Sequence, residues 1–388
     1  MGLLHAQKAG HKSLALIGGA TARIGDPSGK SSERPAMSKS DLNQNVSGLE
    51  RNLRHIFAHF KAQTGIPGPQ IVNNSAWYEE MNVIDFLADF GRHYRLSKML
   101  AKESVKKRLE AVHSKADPHG GMSFSEFSYQ AFQAYDWLHL SQEFDSFVQL
   151  GGHDQMGNIS AGHDLIKRVS GKDAYGLLLP LVTTESGQKL GKSEGNAIWL
   201  SPDMTSSFEL FQYFVRIPDL QVEQMLHFFT FLPANEIKDL MQKSSRQPEK
   251  REAQLRLAKE VTQLVHGDKG LSLALKTTDL LYGQTEQDVL ETLRTLSTSE
   301  LKKIFSKAAS ASMLFQPGMT VLDLVMKLGL FKNEKAAQSV IQAGGFYINQ
   351  CRRINIDEIV MPGDHILPND LSLVRVGKKH YVIVNWLL

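Results

Sequence analysis

Apolar residues in positions 1–232 follow two alternating patterns. Short apolar runs have the length of strands, as in SLALIGG (13–19), FVQLGG (147–152) and LLLPLVTT (177–184), and we expect the last to be buried on both faces. Between them, apolar residues recur at helix spacing, for example in residues 41–60. Strand, glycine and helix repeated in this order predict a parallel, doubly wound α/β sheet. Such sheets bind ligands beyond the carboxyl ends of their strands, where these glycines lie.

The pattern changes after residue 232. Residues 233–306 show only helical patterns, such as a charged helix over residues 249–267 that we expect to end at Gly267. A break around residues 309–320 precedes two helical and several strand-like patterns, which are typical of a small α+β domain. We therefore predict an α/β domain (1–232), which opens on a helix rather than a strand, an α-helical domain (233–306) and an α+β domain (319–388).

The composition is that of a globular protein, with 42% hydrophobic and 22% charged residues in 388. The net charge of +3 is compatible with a polyanionic partner but does not require one. The single cysteine, Cys351, excludes an intrachain disulfide and fits a reducing compartment. No apolar run reaches the length of a membrane span, and the first residues lack the layout of a signal peptide, so we expect no membrane partner.

Residues 124–138 combine a polar stripe with an otherwise aromatic helix. At 100° per residue, Glu126, Tyr129, Gln133 and Asp136 fall within an arc of about 80° on one face. Polar groups on such a helix are expected to be buried and to need partners. The stripe is either a satisfied network between helices or a pocket for a small polar ligand, in which Asp136 accepts a hydrogen bond or pairs with a cation.

Two glycine-rich segments allow a backbone to approach a ligand. In QLGGHDQMGN (149–158), Asp154 is either the N-cap of the following helix or a ribose ligand. GGATARIGDPSGK (18–30) is not a P-loop, because the G-x-x-x-x-G-K-[ST] spacing fails between Gly25 and Gly29. It is either a solvated turn or an anion-binding turn with Lys30 and Arg34 beside it.

The segment KLGKS (189–193) places two lysines in a glycine-containing loop. It is either a solvated surface loop or a mobile loop that closes on phosphate. His55 and His59 have the spacing of a zinc helix, but no further ligands accompany them, so we predict no metal site.

Together, and in this order, four segments resemble those of tyrosyl-tRNA synthetases, which are class I aminoacyl-tRNA synthetases with a Rossmann fold: GGATARIGDPSGK, SYQAFQAYD, VQLGGHDQMGN and KLGKS. The similarity runs from about residue 9 to the C-terminus, is greatest to the mitochondrial branch, and includes an S4-like RNA-binding domain in the last unit. The family also has a preceding strand and a His-x-Gly-His motif for ATP, which this chain does not contain. His153 replaces a serine usual in the family and places a titratable ring near the adenylate.

The resemblance implies that ATP and tyrosine form tyrosyl-adenylate and that tyrosine is then transferred to the 3′ end of tRNA(Tyr). Asp136 would accept a hydrogen bond from the phenolic hydroxyl of tyrosine. The residues expected to hold its ammonium group are Tyr129, Gln133 and Asp26. The further residues expected to line the tyrosine pocket are Gln149 and Gln155.

The resemblance also implies an ATP site. The expected ATP contacts are Gly152, Asp154, the main chain at Val182, and Lys192. Lys189 and Lys192 would be catalytic, since they would stabilise charge that develops on the phosphates in the transition state. The expected pyrophosphate or tRNA contacts are Lys30, Arg34, Arg375, Lys378 and Lys379. Mg²⁺ is expected to arrive with ATP, without a protein-bound metal site.

The main hypothesis is thus a tyrosine–tRNA ligase that acts as a homodimer in the mitochondrial matrix. The alternative is a catalytically inactive, truncated RNA-binding protein derived from the same family, because the His-x-Gly-His motif is absent from this chain.

Overall fold

Two compact units make up the protein in the computed structural model. One consists of Met1–Ser201 and Gln224–Ile237, and the other of Pro202–Glu223 and Lys238–Leu388. The residues that the structure describes are 1–29, 34, 37–110, 121–180, 197–282, 286–304, 309–377 and 380–387. Over these ranges, no helix has both the length and the apolar character needed to cross a membrane.

The first unit begins with a parallel pair of strands. Its first elements are α1 (Gly2–Lys8), β1 (Leu14–Ile17), α2 (Lys39–Thr64) and β2 (Gln70–Asn73). Leu14 lies opposite Gln70, and Ile17 lies opposite Asn73. Helix α2 begins where the hydroxyl of Ser38 accepts a hydrogen bond from the next turn, and it ends at a glycine in the left-handed conformation. The predicted strand and helix are both present.

A second parallel pair follows a run of helices. The elements are α3 (Ser75–Tyr78), α4 (Val83–Asp89), α5 (Leu96–Leu100), α6 (Glu103–Glu110), α7 (Phe124–Glu143), β3 (Val148–Gly152), α8 (Met156–Ser170) and β4 (Tyr175–Leu179). Val148 lies opposite Tyr175, and Gly152 lies opposite Leu179. All four described strands of this unit therefore pair in parallel, as the alternation of strand and helix patterns predicts.

The core of the first unit lies between α7 and α8. Trp137 on α7 and Ile166 on α8 are almost fully buried in one cluster. The two helices approach closely at Gly162, where a Cβ atom would lie 2.6 Å from the Trp137 ring. Strand β4 contributes Leu178 to this cluster, but Leu177 is 52% exposed. The expectation that this strand is buried on both faces is wrong, because α8 covers only one of them.

The second unit starts with helices. They are α9 (Ser207–Val215), α10 (Asp219–Phe229), α11 (Ala234–Arg246), α12 (Glu252–Tyr282), α13 (Glu286–Thr295) and α14 (Thr298–Ile304), and the division between the units falls within α10 and α11. Within α12, Gly267 has a φ of 72° and a ψ of −176°, which are not helical, so that two helices meet there at a kink. The first of them ends at Gly267, as predicted, because glycine adopts a positive φ at little cost, and a second helix follows it directly.

A five-stranded sheet with two helices ends the chain. Its elements are β5 (Ala309–Leu314), α15 (Val321–Lys327), α16 (Glu334–Gln342), β6 (Phe346–Ile348), β7 (Cys351–Arg353), β8 (Leu371–Val376) and β9 (His380–Leu387). The strand order is β5-β9-β8-β6-β7, with only the β5–β9 pair parallel. The helices and strands match the predicted α+β pattern, but β5 lies in the segment predicted as a break.

Candidate active site

The polar stripe of α7 is buried, and Asp136 is only 3% exposed. The indole Nε1 of Trp77 donates to Asp136 Oδ1 over 3.0 Å, and Nδ2 of Asn74 donates to Oδ2 over 3.1 Å. Burial raises the pKa of Asp136 to about 6, and the hydrogen bonds from Asn74 and Trp77 partly offset that effect. The site therefore contains a buried carboxylate that is held by neutral donors.

Asn74 is completely buried just after β2 and connects three elements. Its Oδ1 accepts from the backbone N–H of Ala20 (2.8 Å), while its Nδ2 donates to Thr21 Oγ1 (2.8 Å) as well as to Asp136. Because both ends of the amide are engaged, its nitrogen faces the carboxylate. Sequence reasoning missed Asn74 and Trp77, because the segment NNSAW matches no pattern of catalytic residues.

Two tyrosines bind the backbone of α7 one turn before Asp136. The hydroxyl of Tyr78 donates to the carbonyl of Phe132 (2.9 Å), and that of Tyr94 donates to the carbonyl of Ala131 (2.8 Å). Burial raises the pKa of both tyrosines, and the charge of Asp136 raises it further. Both side chains therefore remain neutral donors and fix the position of this turn.

A second carboxylate, Asp26, lies in the loop after β1. Its Oδ2 accepts from Nε2 of Gln155 (2.8 Å), and its Oδ1 accepts from the N–H of Ser28 (2.9 Å) and from Nδ2 of Asn158 (3.3 Å). Arg34 donates through Nε to the Asp26 carbonyl at 3.4 Å rather than to its carboxylate. Within the described ranges, the carboxylate has no cationic side chain as a partner.

Tyr129 lies near both carboxylates. Burial is the main cause of the raised pKa of Tyr129, and the negative charges of Asp26 and Asp136 raise this pKa further. The side chain of Thr21 is hydrogen-bonded to the Tyr129 hydroxyl. The structure thus brings the predicted residues Asp26, Tyr129, Asp136 and Gln155 into one polar region of the first unit, with Thr21 shared between them.

The remaining predicted residues of this region have fewer contacts. Gln133 and Gln149 are half-buried, and the buried Oε1 of Gln149 has no hydrogen-bond partner among the described residues. Gly152 ends β3, and Asp154 lies in the 3₁₀ turn His153–Gln155 that precedes α8. Helix α8 has Gln155 at its N-cap position and no side-chain cap, so the N-cap interpretation of Asp154 is wrong.

Comparison with known proteins identifies the family. The family model described as tRNA synthetases class I (W and Y) matches residues 1–283. The chain is 46% identical to the mitochondrial tyrosine–tRNA ligase of Drosophila melanogaster, over 100% of this chain and 83% of that protein. For the human mitochondrial tyrosine–tRNA ligase the identity is 42%, over 100% and 80% of the two chains. The chain belongs to the tyrosyl-tRNA synthetase family.

The fold comparison agrees with this assignment to the tyrosyl-tRNA synthetases. A crystal structure of a C-terminally truncated mitochondrial tyrosyl-tRNA synthetase from Aspergillus nidulans superposes with a TM-score of 0.64 at 33% identity. The match covers 72% of this chain and 79% of that one. The family predicted from the four sequence segments is therefore confirmed, and the fold is that of a class I synthetase.

Several of the predicted site residues lie outside the described residues. They are Lys30, Val182, Lys189, Lys192, Lys378 and Lys379. Of the predicted tRNA contacts in the last sheet, Arg375 is described. Its guanidinium lies 3.7 Å from the centre of the Tyr347 ring, and its Nη1 donates to the carbonyl of Gly377 (3.3 Å).

Among the described residues, one cluster of potential metal ligands lies in the segment between β7 and β8. Ligand atoms of Glu358, Asp364 and His365 lie within 4.8 Å of one another. Arg353 pairs with Glu358 at 2.7 Å and with Asp364 at 2.9 Å, so a guanidinium already occupies a position between the two carboxylates. This cluster therefore fits a structural ion-pair network better than a metal site.

Proposed function

We propose that this protein is a tyrosine–tRNA ligase, which activates tyrosine with ATP and transfers it to the 3′ end of tRNA(Tyr). The observation that carries the substrate assignment is the buried Asp136 carboxylate, held by Asn74 and Trp77. Identities of 46% and 42% along the whole chain, to relatives named as mitochondrial tyrosine–tRNA ligases, support the ligase over the inactive RNA-binding alternative. They also support a mitochondrial location, within which we propose the matrix.

Asp136 provides selectivity for the phenolic hydroxyl. A buried acceptor that is paired by tyrosine would be left unpaired by phenylalanine, which lacks the hydroxyl. Rejection of phenylalanine by tyrosyl-tRNA synthetases is itself the established example of this principle. The hydrogen bonds from Asn74 and Trp77 fix the direction of the carboxylate before the substrate arrives.

Asp26 is the proposed acceptor for the substrate ammonium group, together with Tyr129 and Gln133. Its carboxylate is surrounded by neutral donors, which leaves its charge available for a cation. Gln155 and Gln149 complete the proposed pocket. The unpartnered Oε1 of Gln149 supports a polar ligand there, because buried amide oxygens normally have a hydrogen-bond donor.

The proposed ATP contacts follow the family resemblance. They are Gly152, Asp154, the main chain at Val182, and the catalytic pair Lys189 and Lys192. The lysines would stabilise negative charge on the phosphates in the transition state without a covalent enzyme intermediate. Mg²⁺ would accompany ATP, and Lys30 and Arg34 would contact pyrophosphate or the acceptor end of tRNA.

We further propose that the parallel strand pairs belong to a Rossmann-like, doubly wound sheet in residues 1–232. Residues 233–306 would form a helical tRNA-binding domain, and residues 319–388 an S4-like RNA-binding domain. The α+β sheet that carries Arg375 supports the last assignment, because a guanidinium stacked on an aromatic ring suits contacts to RNA phosphates or bases. Lys378 and Lys379 would add phosphate contacts.

A homodimer is proposed on the basis of exposed apolar side chains in the first unit. Val83 and Ile84 on α4 are 66% and 67% exposed, Leu96 on α5 is 66% exposed, and Phe124 at the start of α7 is 78% exposed. Several large, exposed apolar side chains in one unit favour a protein–protein interface there.

Tyrosine-dependent exchange between ATP and pyrophosphate, followed by aminoacylation of tRNA(Tyr), tests the proposed function. We expect exchange with tyrosine but not with phenylalanine or tryptophan. Lys192→Ala should reduce exchange while the affinity for tyrosine stays nearly unchanged, because the lysine acts on the phosphates in the transition state. Tyrosine and tRNA binding without any exchange would instead support the inactive RNA-binding alternative.

A further inference from the structure

Asn158 is a buried amide with no role in the proposed chemistry. It lies on the first turn of α8 and is 3% exposed. Its Nδ2 is 3.3 Å from Asp26 Oδ1, 3.2 Å from Ser28 Oγ and 3.3 Å from Gln155 Oε1. One amide nitrogen thus contacts three polar side chains, two of which lie in the loop after β1.

The contact with Asp26 affects the charge of the substrate site. Every donor to the Asp26 carboxylate among the described residues is neutral: Gln155 on Oδ2, and Asn158 with the Ser28 N–H on Oδ1. Neutral donors orient the carboxylate, but they do not cancel its charge. A lysine at position 158 would cancel the charge of the Asp26 carboxylate. An amide therefore suits a carboxylate that must pair with an ammonium group of a ligand.

The contact with Gln155 determines which end of that amide faces Asp26. A glutamine can place either its oxygen or its NH₂ group toward a neighbour, and the hydrogen-bond network selects between them. Because Asn158 donates to Gln155 Oε1, the NH₂ group of Gln155 is the end that donates to Asp26. The opposite orientation would direct the Gln155 oxygen at the carboxylate and repel it, so the donor on Asn158 and the acceptor on Asp26 favour the same orientation.

We infer that Asn158 is a positioning residue for recognition of the substrate's α-ammonium group. It acts through two residues, since it orients the carboxylate of Asp26 and selects the orientation of Gln155. This inference rests on the proposed function, namely that tyrosine binds here with its ammonium group at Asp26.

The test compares three ligands that differ in the ammonium group. Calorimetry on the full chain gives Kd for L-tyrosine, for tyramine, which keeps the amine, and for 3-(4-hydroxyphenyl)propionate, which lacks it. Asn158→Ala should weaken L-tyrosine and tyramine by about tenfold, as expected when a hydrogen bond to a charged group is lost. The affinity for 3-(4-hydroxyphenyl)propionate should change by less than about twofold.

Two further variants separate positioning from folding. Asn158→Leu keeps the volume but removes the donor, and it should give the same ligand pattern as Asn158→Ala. Ser160→Ala is the matched control, because the Ser160 hydroxyl donates to the carbonyl of Met156 on the same helix and has no contact with Asp26. It should leave all three Kd values unchanged.

The other possible binding results would overturn the inference about Asn158. Equal weakening of all three ligands, or failure of both Asn158 variants to fold, would assign Asn158 to the fold and overturn the inference. In either case the wild-type protein would still bind tyrosine, so the proposed function would stand. Absence of tyrosine binding in the wild-type protein would overturn both.

Discussion

At the residue scale, the burial of Asp136 makes the stability of the fold depend on pH. Its pKa is raised from 3.8 to about 6 because burial penalises the charged form. A raised pKa means that the ionised carboxylate destabilises the fold above pH about 6, and that this cost vanishes as the pH falls below about 3.8. Ionisation of this buried carboxylate therefore reduces stability at neutral pH while it provides the acceptor for a phenolic hydroxyl.

The first prediction concerns the pH dependence of tyrosine binding. As the pH falls through about 6, Asp136 becomes protonated and loses part of its strength as an acceptor. We expect Kd for L-tyrosine to rise by roughly threefold to fourfold between pH 7.5 and pH 5.5, measured by calorimetry. In Asp136→Asn, the rise in Kd that protonation of Asp136 causes should disappear. The same profile in both proteins would show that another group is responsible.

The second prediction concerns the donor on Trp77. Trp77→Phe removes the 3.0 Å hydrogen bond to Asp136 Oδ1 and keeps an aromatic ring against His139, on which Trp77 stacks at 4.3 Å between ring centres. We expect tyrosine to bind about tenfold more weakly, with phenylalanine unaffected, because a hydrogen bond to a charged group is lost. Competition binding with both amino acids measures this change in selectivity.

Trp137→Phe is the control for that experiment. The indole of Trp137 donates to the carbonyl of Ser146 rather than to Asp136. Its replacement should lower thermal stability and leave the ratio of tyrosine to phenylalanine affinity unchanged. An equal loss of selectivity in both variants would contradict a specific role for Trp77.

Site residues could be predicted from the sequence when their role depends on residues nearby in the chain. The polar stripe on α7 is visible because helical spacing places Tyr129 and Asp136 on one face. Asn74 and Asn158 were missed, because each acquires its role from side chains more than fifty positions away in sequence. A single sequence without an alignment contains no sign of such contacts.

At the scale of secondary-structure elements, a buried ion pair attaches α6 to the start of α7. Arg108 and Glu126 are 1% and 4% exposed at their side chains. Nε and Nη2 of the guanidinium lie 3.0 Å from Oε1 and Oε2 of the carboxylate, and Nη2 also donates to the carbonyl of Gly121. This pair uses Glu126, the member of the predicted stripe that has no role in the proposed tyrosine site.

The third prediction is a stability loss when this pair is broken. Arg108→Ala leaves the Glu126 carboxylate buried without its partner, so we expect the free energy of unfolding to fall by about 3–5 kcal/mol, measured by urea denaturation. The control is Lys107→Ala on the same helix. It breaks a pair with Glu103 whose side chains are 70% and 80% exposed, and it should cause no measurable change. Similar results for both variants would contradict the importance of burial.

The elements that could be predicted were those with a clear apolar period. Helices α2 and α7 and strands β1 and β3 follow the sequence pattern closely. Strand β5 was missed because its residues are small and mostly exposed, so that they show little alternation. The helix end at Gly267 was predicted correctly, because glycine at the end of a helical pattern is typical of a helix end, and its backbone is not helical in the structure.

At the scale of the whole molecule, the exposed apolar residues of α4 allow a test of self-association. The fourth prediction is that Ile84→Glu, which places a charge on a side chain that is 67% exposed, weakens dimer formation at least tenfold, as measured by sedimentation equilibrium. Leu220→Glu is the control, because Leu220 is 89% exposed on α10 and is not one of the residues proposed for the interface. A monomeric wild-type protein, or equal effects of the two variants, would contradict the proposed dimer.

The first unit consists of two separate segments of the chain, and this order affects how it folds during protein synthesis. Phe231 lies in its second segment, Gln224–Ile237, and packs on Phe60 and His5 with ring centres 5.3 Å and 4.9 Å apart. As the chain leaves the ribosome, residues 202–223 of the second unit emerge before this segment. The Phe231 ring is therefore made after residues 202–223. A nascent chain stalled near Ser201 lacks this ring and exposes the aromatic surface of Phe60 and His5 to chaperones and proteases.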